Sequence, residues 1–225
     1  MLISEVKMPK HKDEKLITRS YPVELRADSE DNGVIEGTPI VFGKKTRIKD
    51  WYGEYDEIID SRALDNADLK DVRLFINHDT GKLTLARSKN NSPNSTMTFT
   101  IDEAGMHITA KLDTENNAEA RAVYSAVKRG DVDGMSFMFR AKDVEWQDID
   151  EDIPTRIIRG ISIVHEVSIV NYPAYPQTSV NARSVETEYS ELKEMREREQ
   201  ARKREEEREK ELELEKLKIQ ILLGV

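Results

Sequence analysis

Three short stretches of the sequence hold side chains able to do nucleophilic or acid–base chemistry: "NHD" at residues 77–79, "GMS" at 134–136 and "HEVS" at 165–168. The chain has no cysteine, which excludes thiol nucleophiles, disulfides and cysteine-ligated zinc. Chemistry must come from Ser, Thr, His, Asp, Glu, Lys or Tyr. His78 ends the apolar run "RLFIN" and opens a polar turn, the kind of place where a rigid sheet presents side chains outward. By its residues alone it is a general base or an ordinary turn histidine. Ser136 follows Gly134 and begins "SFMFR"; alternation puts Ser136 and Met138 on one strand face and Met135, Phe137 and Phe139 on the other, facing the core. "GMS" is not the G-x-S-x-G elbow of α/β-hydrolases, and no helical pattern follows it.

His165 and Glu166 lie inside "GISIVHEVSIV", the most apolar strand pattern in the chain. Strict alternation places Ile161, Ile163, His165, Val167 and Ile169 on one face and Ser162, Val164, Glu166, Ser168 and Val170 on the other. His165 and Glu166 then cannot enter one site unless a bulge intervenes. A glutamate in so apolar a strand must meet a partner, and Arg159 or Arg140 would serve. His78, Asp79, His107 and His165 are scattered without paired-ligand spacing, so no metal or other cofactor is expected.

The elements that must position these residues are mainly strands. "GVIEGTPIVFG", "VRLFINH", "STMTFTID", "GMHITAKLD", "GMSFMFRAKDVEW" and "TRIIRGISIVHEVSIV" are short, rich in β-branched or aromatic residues, and punctuated by Gly, Pro, Asn or Asp. "FTIDEAGMHITAKL" reads as a hairpin about an acidic Gly turn, a pattern of antiparallel sheet. Two helices fit between strands. "DSRALDNADLKD" starts on an Asp/Ser cap with few apolar positions; "NNAEARAVYSAVKRGD" has an Asn cap, basic residues in its last turn and Gly130 as a stop, with Ala122, Val123, Ala126 and Val127 as its apolar stripe.

Residues 1–20 are polar and aperiodic and read as a flexible leader; residues 21–183 form the folded domain, closed by Pro173 and Pro176. Residues 184–225 are a charged helical tail with favourable i,i+4 pairs at Glu194 and Arg198, Glu199 and Lys203, and Glu206 and Lys210. Its middle has almost no apolar residues, so no sustained coiled-coil seam is written there, whereas "LELEKLKIQILLGV" needs a partner or self-association to bury its apolar side chains. A net charge of −9 argues against broad electrostatic binding to nucleic acid or an anionic membrane. No signal-peptide core and no run of about 20 apolar residues is present, which makes a soluble cytosolic protein the expectation.

Taken in order, "GVIEGTPIVFG", "YDEIIDSRALDNA", "VRLFINHD", "GDVDGMSFMF" and "HEVSIVNYPAYPQTSV" resemble the prohead (capsid maturation) serine proteases of tailed bacteriophages, over residues 33–182. The resemblance implies an α+β fold built on a closed or nearly closed antiparallel β-barrel with peripheral helices, followed here by the long charged C-terminal helix. It implies His78 as general base and Ser136 as nucleophile. For the third member it implies Glu166; a distant similarity of the family to herpesvirus assembly proteases, whose third member is a histidine, makes His165 the competing candidate. Arg156, Arg159 or backbone N–H groups near them or near Ser136 are the candidate oxyanion donors.

The implied function is an endopeptidase inside the assembling prohead that cleaves the scaffolding segment of the major capsid protein and then itself. The tail would direct incorporation into the shell and be removed by self-cleavage. The rivals are a non-catalytic scaffolding protein that keeps a protease-like β domain, and an unrelated binding module. The second would leave His78, Ser136 and Glu166 far apart, so hydrogen-bond reach between His78 and Ser136 discriminates.

Overall fold

The computed structural model describes residues 6–7, 15–28, 32–50, 53–172 and 182–223. Its strands are β1 (Val6–Lys7), β2 (Lys15–Pro22), β3 (Leu25–Ala27), β4 (Val34–Val41), β5 (Thr46–Asp50), β6 (Gly53–Ile59), β7 (Arg73–Ile76), β8 (Ala86–Arg87), β9 (Met97–Ile101), β10 (Gly105–Lys111), β11 (Gly134–Gln147) and β12 (Thr155–Val170), with helices α1 (Ala118–Arg129) and α2 (Ala182–Leu223). One sheet is built on the long antiparallel pair β11 and β12. The outer edge of β11 takes β1 and β2; the outer edge of β12 runs parallel to β6 and then to β7, which β5 and β8 extend. The second sheet has the order β3, β4, β10, β9.

The two sheets close over one core, in which Ile35, Ile40, Met106 and Ile108 share a cluster with Met135, Phe137, Phe139, Val164 and Val167. The alternation read along β11 is observed: Met135, Phe137 and Phe139 are wholly buried. At about 1.5–3 kcal/mol per buried side chain this face fixes the register of β11, because a one-residue slip would exchange it for Ser136 and Met138. A closed or nearly closed barrel was expected, and no closed barrel is formed: both sheets are open among the described residues. At their margins Thr96 N donates to the carbonyl of Arg87 at 3.0 Å and Gly43 N to that of Ile59 at 2.9 Å.

Helix α1 forms as its caps dictate: Asn117 accepts from the backbone N–H groups of Glu119 and Ala120, and Gly130 ends it at φ 74°. Its buried face is Ala120, Tyr124 and Val127 with Val123 beside them; Ala122 is exposed, so the stripe lies one position off the one expected. The expected helix over residues 60–71 is a series of turns. The carboxylates of Asp60 and Asp68 accept from the N–H groups two residues on, at Arg62 and Lys70, competing with helical hydrogen bonds, and Ala63 and Leu64, with Ala67 and Leu69 partly buried beside them, anchor the segment in the core.

The last six residues of the stretch read as a flexible leader are part of β2, and Arg19 there is buried. Its guanidinium donates to Glu57 of β6 from Nε at 2.5 Å and Nη2 at 2.8 Å, and Arg156 of β12 donates to the same carboxylate at 2.6 Å. Burial alone would push the Glu57 carboxyl up, but the two guanidiniums outweigh it and hold it below the ordinary 4.5. A carboxyl depressed by folding stabilises the native state above that ordinary value, and the contribution is lost as pH falls through the lower folded one. Glu57→Gln, which removes the buried charge that both guanidiniums share, is expected to lose about 3–5 kcal/mol in urea unfolding at neutral pH. Its stability should also fall less steeply than that of the wild type when unfolding is repeated below pH 4.5.

Among the described side chains, helix α2 docks through Leu192 and Arg196. Leu192 is buried against Ile48, Tyr55, Trp146 and Ile149, and Arg196 donates to the carbonyls of Ile149 and Glu151. Of the expected pairs along it, Arg198 meets Glu194 at 3.5 Å, whereas Lys203 turns to Asp150 and Arg202 bridges Glu199 and Glu206. Leu212, Leu214, Leu217 and Ile219 are exposed. Pro173 and Pro176, read as the end of the sheet, lie outside the described residues.

Candidate active site

The registers of β2, β11 and β12 set Ser20, Ser136 and Ser168 directly opposite one another across three adjacent strands, so their side chains share one face. On the far edge of β12, β7 runs parallel until the N–H of Asn77 donates to the carbonyl of Ile169 at 2.9 Å. The chain then turns through two left-handed residues, Asn77 (φ 49°) and His78 (φ 60°). Non-glycine residues there cost about 1 kcal/mol or more and persist only where surrounding bonds hold them. Here Asn171 N donates to the Asn77 side chain at 3.2 Å, His78 N donates to Ser168 Oγ at 3.1 Å, and Asp79 N donates to the carbonyl of Ile76 at 3.0 Å.

This turn brings the imidazole to the serine row. His78 Nε2 lies 2.6 Å from Ser136 Oγ, and Nδ1 is hydrogen-bonded to Glu166 Oε1. Glu166 is 2% exposed, and its other oxygen accepts from Ser168 Oγ at 2.7 Å. An ionised carboxylate only accepts, so Nδ1 carries the proton and Nε2 turns a lone pair toward Ser136. The Ser136 hydroxyl has a second acceptor in the carbonyl of Arg19 at 2.9 Å, and it receives a hydrogen bond from Ser20 Oγ at 2.9 Å. Ser136 is 0% exposed.

A bulge lets β12 supply Glu166 in this way. Met138 pairs with Glu166 and Phe139 with Val164, so His165 has no partner on β11. The alternation read along the strand therefore holds for Glu166, Val167, Ser168 and Ile169 but not before the bulge, where Val164 is in the core and Ile163 is half-buried. Of the two residues weighed as third member, Glu166 is the one at His78. His165 instead accepts from Arg140 Nε at 3.3 Å, and burial, with Arg140 beside it, pushes its imidazole below the ordinary value.

The arginines expected to pair with Glu166 or to stabilise an oxyanion are engaged elsewhere. Arg159 bridges Glu145 and Asp60, Arg156 holds Glu57, and Arg140 meets His165. A second hydroxyl–imidazole–carboxylate row lies on the other sheet, where His107 contacts Thr38 at 2.9 Å and Asp102 at 3.0 Å. Asp102 is largely exposed and accepts from the N–H groups of Ala104 and Gly105, so that row fastens the β9–β10 hairpin turn.

Chemically, the buried row offers a hydroxyl, a base oriented toward it and a carboxylate that fixes the base's tautomer, the parts required for acyl transfer through a serine ester. The profile of caudovirus prohead serine proteases matches residues 21–194. The chain belongs to that family. No curated protein and no solved structure matches it. As a prohead serine protease it is a peptidase of capsid maturation, placed by its family in the assembling prohead within the host cell. No helix among the described residues is long and apolar enough to cross a membrane. The match ends close to Leu192 and Met195, where α2 packs on the body, and leaves most of the helix beyond it.

Ser20 and Ser168 were missed as site residues. Both are small polar residues in strand patterns, and Ser168 shares the face of Glu166 in the alternation, but nothing in the sequence fixes which serines pair across strands. Because His165 is held by Arg140, His165→Ala in this prohead protease is expected to leave kcat/KM within about threefold of wild type on a peptide substrate.

Proposed function

We propose that this prohead protease is a serine endopeptidase in which Ser136 is the nucleophile, His78 the general base and Glu166 the residue that orients and charge-balances His78. The unbroken hydrogen-bonded row Ser136–His78–Glu166, carried by β11, the turn after β7 and β12, is the observation that supports this reading most directly. His78 Nε2 takes the hydroxyl proton as Oγ attacks the scissile carbonyl carbon, and Glu166 stabilises the imidazolium that forms. The imidazolium returns that proton to the leaving amine, giving an acyl-enzyme. Water, deprotonated by the same nitrogen, then releases the acid and restores Ser136.

The substrate we assign is the scaffolding segment of the major capsid protein, and then the protease itself, with residues 21–183 as the catalytic domain. The charged tail from residue 184 serves incorporation into the shell and is removed by self-cleavage. Its long exposed course with both signs of charge interleaved suits a scaffold-like role. The test is co-expression with the major capsid protein of the same phage, followed by intact-mass spectrometry of both chains. The expected result is a capsid protein shortened by its scaffolding segment and a protease lacking its tail. A capsid protein that stays full length overturns the substrate assignment, and a tail that survives maturation overturns self-removal.

A further inference from the structure

The hydroxyl of Ser168 is wholly buried and makes two bonds at once. It donates to Glu166 Oε2 at 2.7 Å and accepts from the backbone N–H of His78 at 3.1 Å. One side chain therefore ties the main chain of the base to the carboxylate that steadies the base's ring. Glu166 is long and its terminal torsion is soft; with one oxygen on Nδ1 its carboxylate could still pivot about that bond. Fixing the second oxygen sets the carboxylate plane. The same hydroxyl satisfies a backbone donor in the left-handed turn, and so helps to hold the conformation that aims the ring.

We propose that Ser168 is a positioning residue that acts through Glu166 and the His78 backbone to hold the imidazole at Ser136. It rests on the reading of Ser136, His78 and Glu166 given above. Ser168 touches neither substrate nor the reacting atoms, so its effect should appear in kcat and vanish when the carboxylate it holds is gone.

The test uses the full chain and a peptide spanning the cleavage site mapped on the capsid protein. Ser168→Ala is expected to lower kcat by about 10- to 100-fold with KM within about twofold, the scale of a sub-ångström to 1 Å misplacement of a catalytic group. In a Glu166→Ala background, where no group is left for Ser168 to orient and single-turnover rates are measured with enzyme in excess, adding Ser168→Ala should change the rate by less than about threefold. Ser168→Cys, close in size with a weaker donor, should fall between serine and alanine. As a readout independent of turnover, the low-field Nδ1 proton resonance of His78 should move upfield in Ser168→Ala. A kcat for Ser168→Ala equal to wild type overturns the proposal. So does an equal fold-loss in both backgrounds, the outcome of a role in folding alone. The parent reading fails separately: a Ser136→Ala chain that still cleaves the peptide removes that reading, whereas an inactive Ser136→Ala beside a fully active Ser168→Ala removes only the role given to Ser168.

Discussion

Ser136→Ala is expected to stop capsid-protein processing, with a loss in kcat on the order of 10⁶, or about 8 kcal/mol of transition-state stabilisation. The substitution removes one oxygen from a wholly buried site and leaves Cβ on the face it already occupies. The fold should therefore persist. The hydrogen bonds lost are those with His78, with Ser20 and with the carbonyl of Arg19, each worth about 1 kcal/mol net. Stability measured by urea unfolding should consequently fall by no more than a few kcal/mol while activity vanishes. The measurement is intact mass of the capsid protein after co-expression, where full-length protein with Ser136→Ala and shortened protein with wild type is the expected pair. Shortened capsid protein with the alanine variant would place the nucleophile elsewhere.

Glu166→Gln should cost about 10⁴ in kcat, and the reason lies in which way the amide must face. Ser168 Oγ donates to the second oxygen of Glu166, so in the glutamine variant that position keeps the amide oxygen. The NH2 group is then turned to His78 Nδ1, which has to accept. A neutral imidazole that accepts at Nδ1 carries its proton on Nε2, and that proton points at Ser136. The ring holds its place in the wrong tautomer and cannot receive the hydroxyl proton. Peptide cleavage near wild-type rate in Glu166→Gln would falsify the assignment of Glu166 as the orienting group.

Sequence patterns revealed those parts of the fold that depend on local chemistry. Met135, Phe137 and Phe139 alternate with Ser136 and Met138, and that alone placed the serine on the face away from the core. Asn117 and Gly130 mark the ends of α1 because capping is a short-range hydrogen-bond problem. The resemblance supplied His78, Ser136 and Glu166, which no local pattern could have joined. Ser136 lies 58 residues from His78, and their meeting depends on the order β7, β12, β11 in the sheet.

What was not legible was non-local or a break in a period. The bulge at His165 has no residue-type signature, and without it Ile163 and Val164 exchange faces. Residues 15–20 look like a solvated leader because what places them is non-local: their pairing with β11, the burial of Ile17 in the core, and the bond from Arg19 to Glu57, 38 residues further on. In place of the closed or nearly closed barrel implied by the resemblance there are two open sheets, because closure depends on long-range strand pairing, which turn residues do not set.

The burial of Ser136 sets a condition on timing. A scissile carbon has to come within about 3–3.5 Å of Oγ, and a side chain with no exposed surface offers no such approach. If Ser136 is the nucleophile proposed above, the β2 contacts to Oγ, from Ser20 and the Arg19 carbonyl, have to give way before a substrate can reach it, and the described arrangement is then the closed one. Each 1.4 kcal/mol by which the closed conformer is favoured lowers the competent fraction, and with it the observed rate, tenfold. Arg19 is held by its side chain at Glu57 and by its carbonyl at Ser136 Oγ. One residue therefore links the buried ion cluster of the body to the hydroxyl, and on the proposed reading any opening at Ser136 has to work against that link.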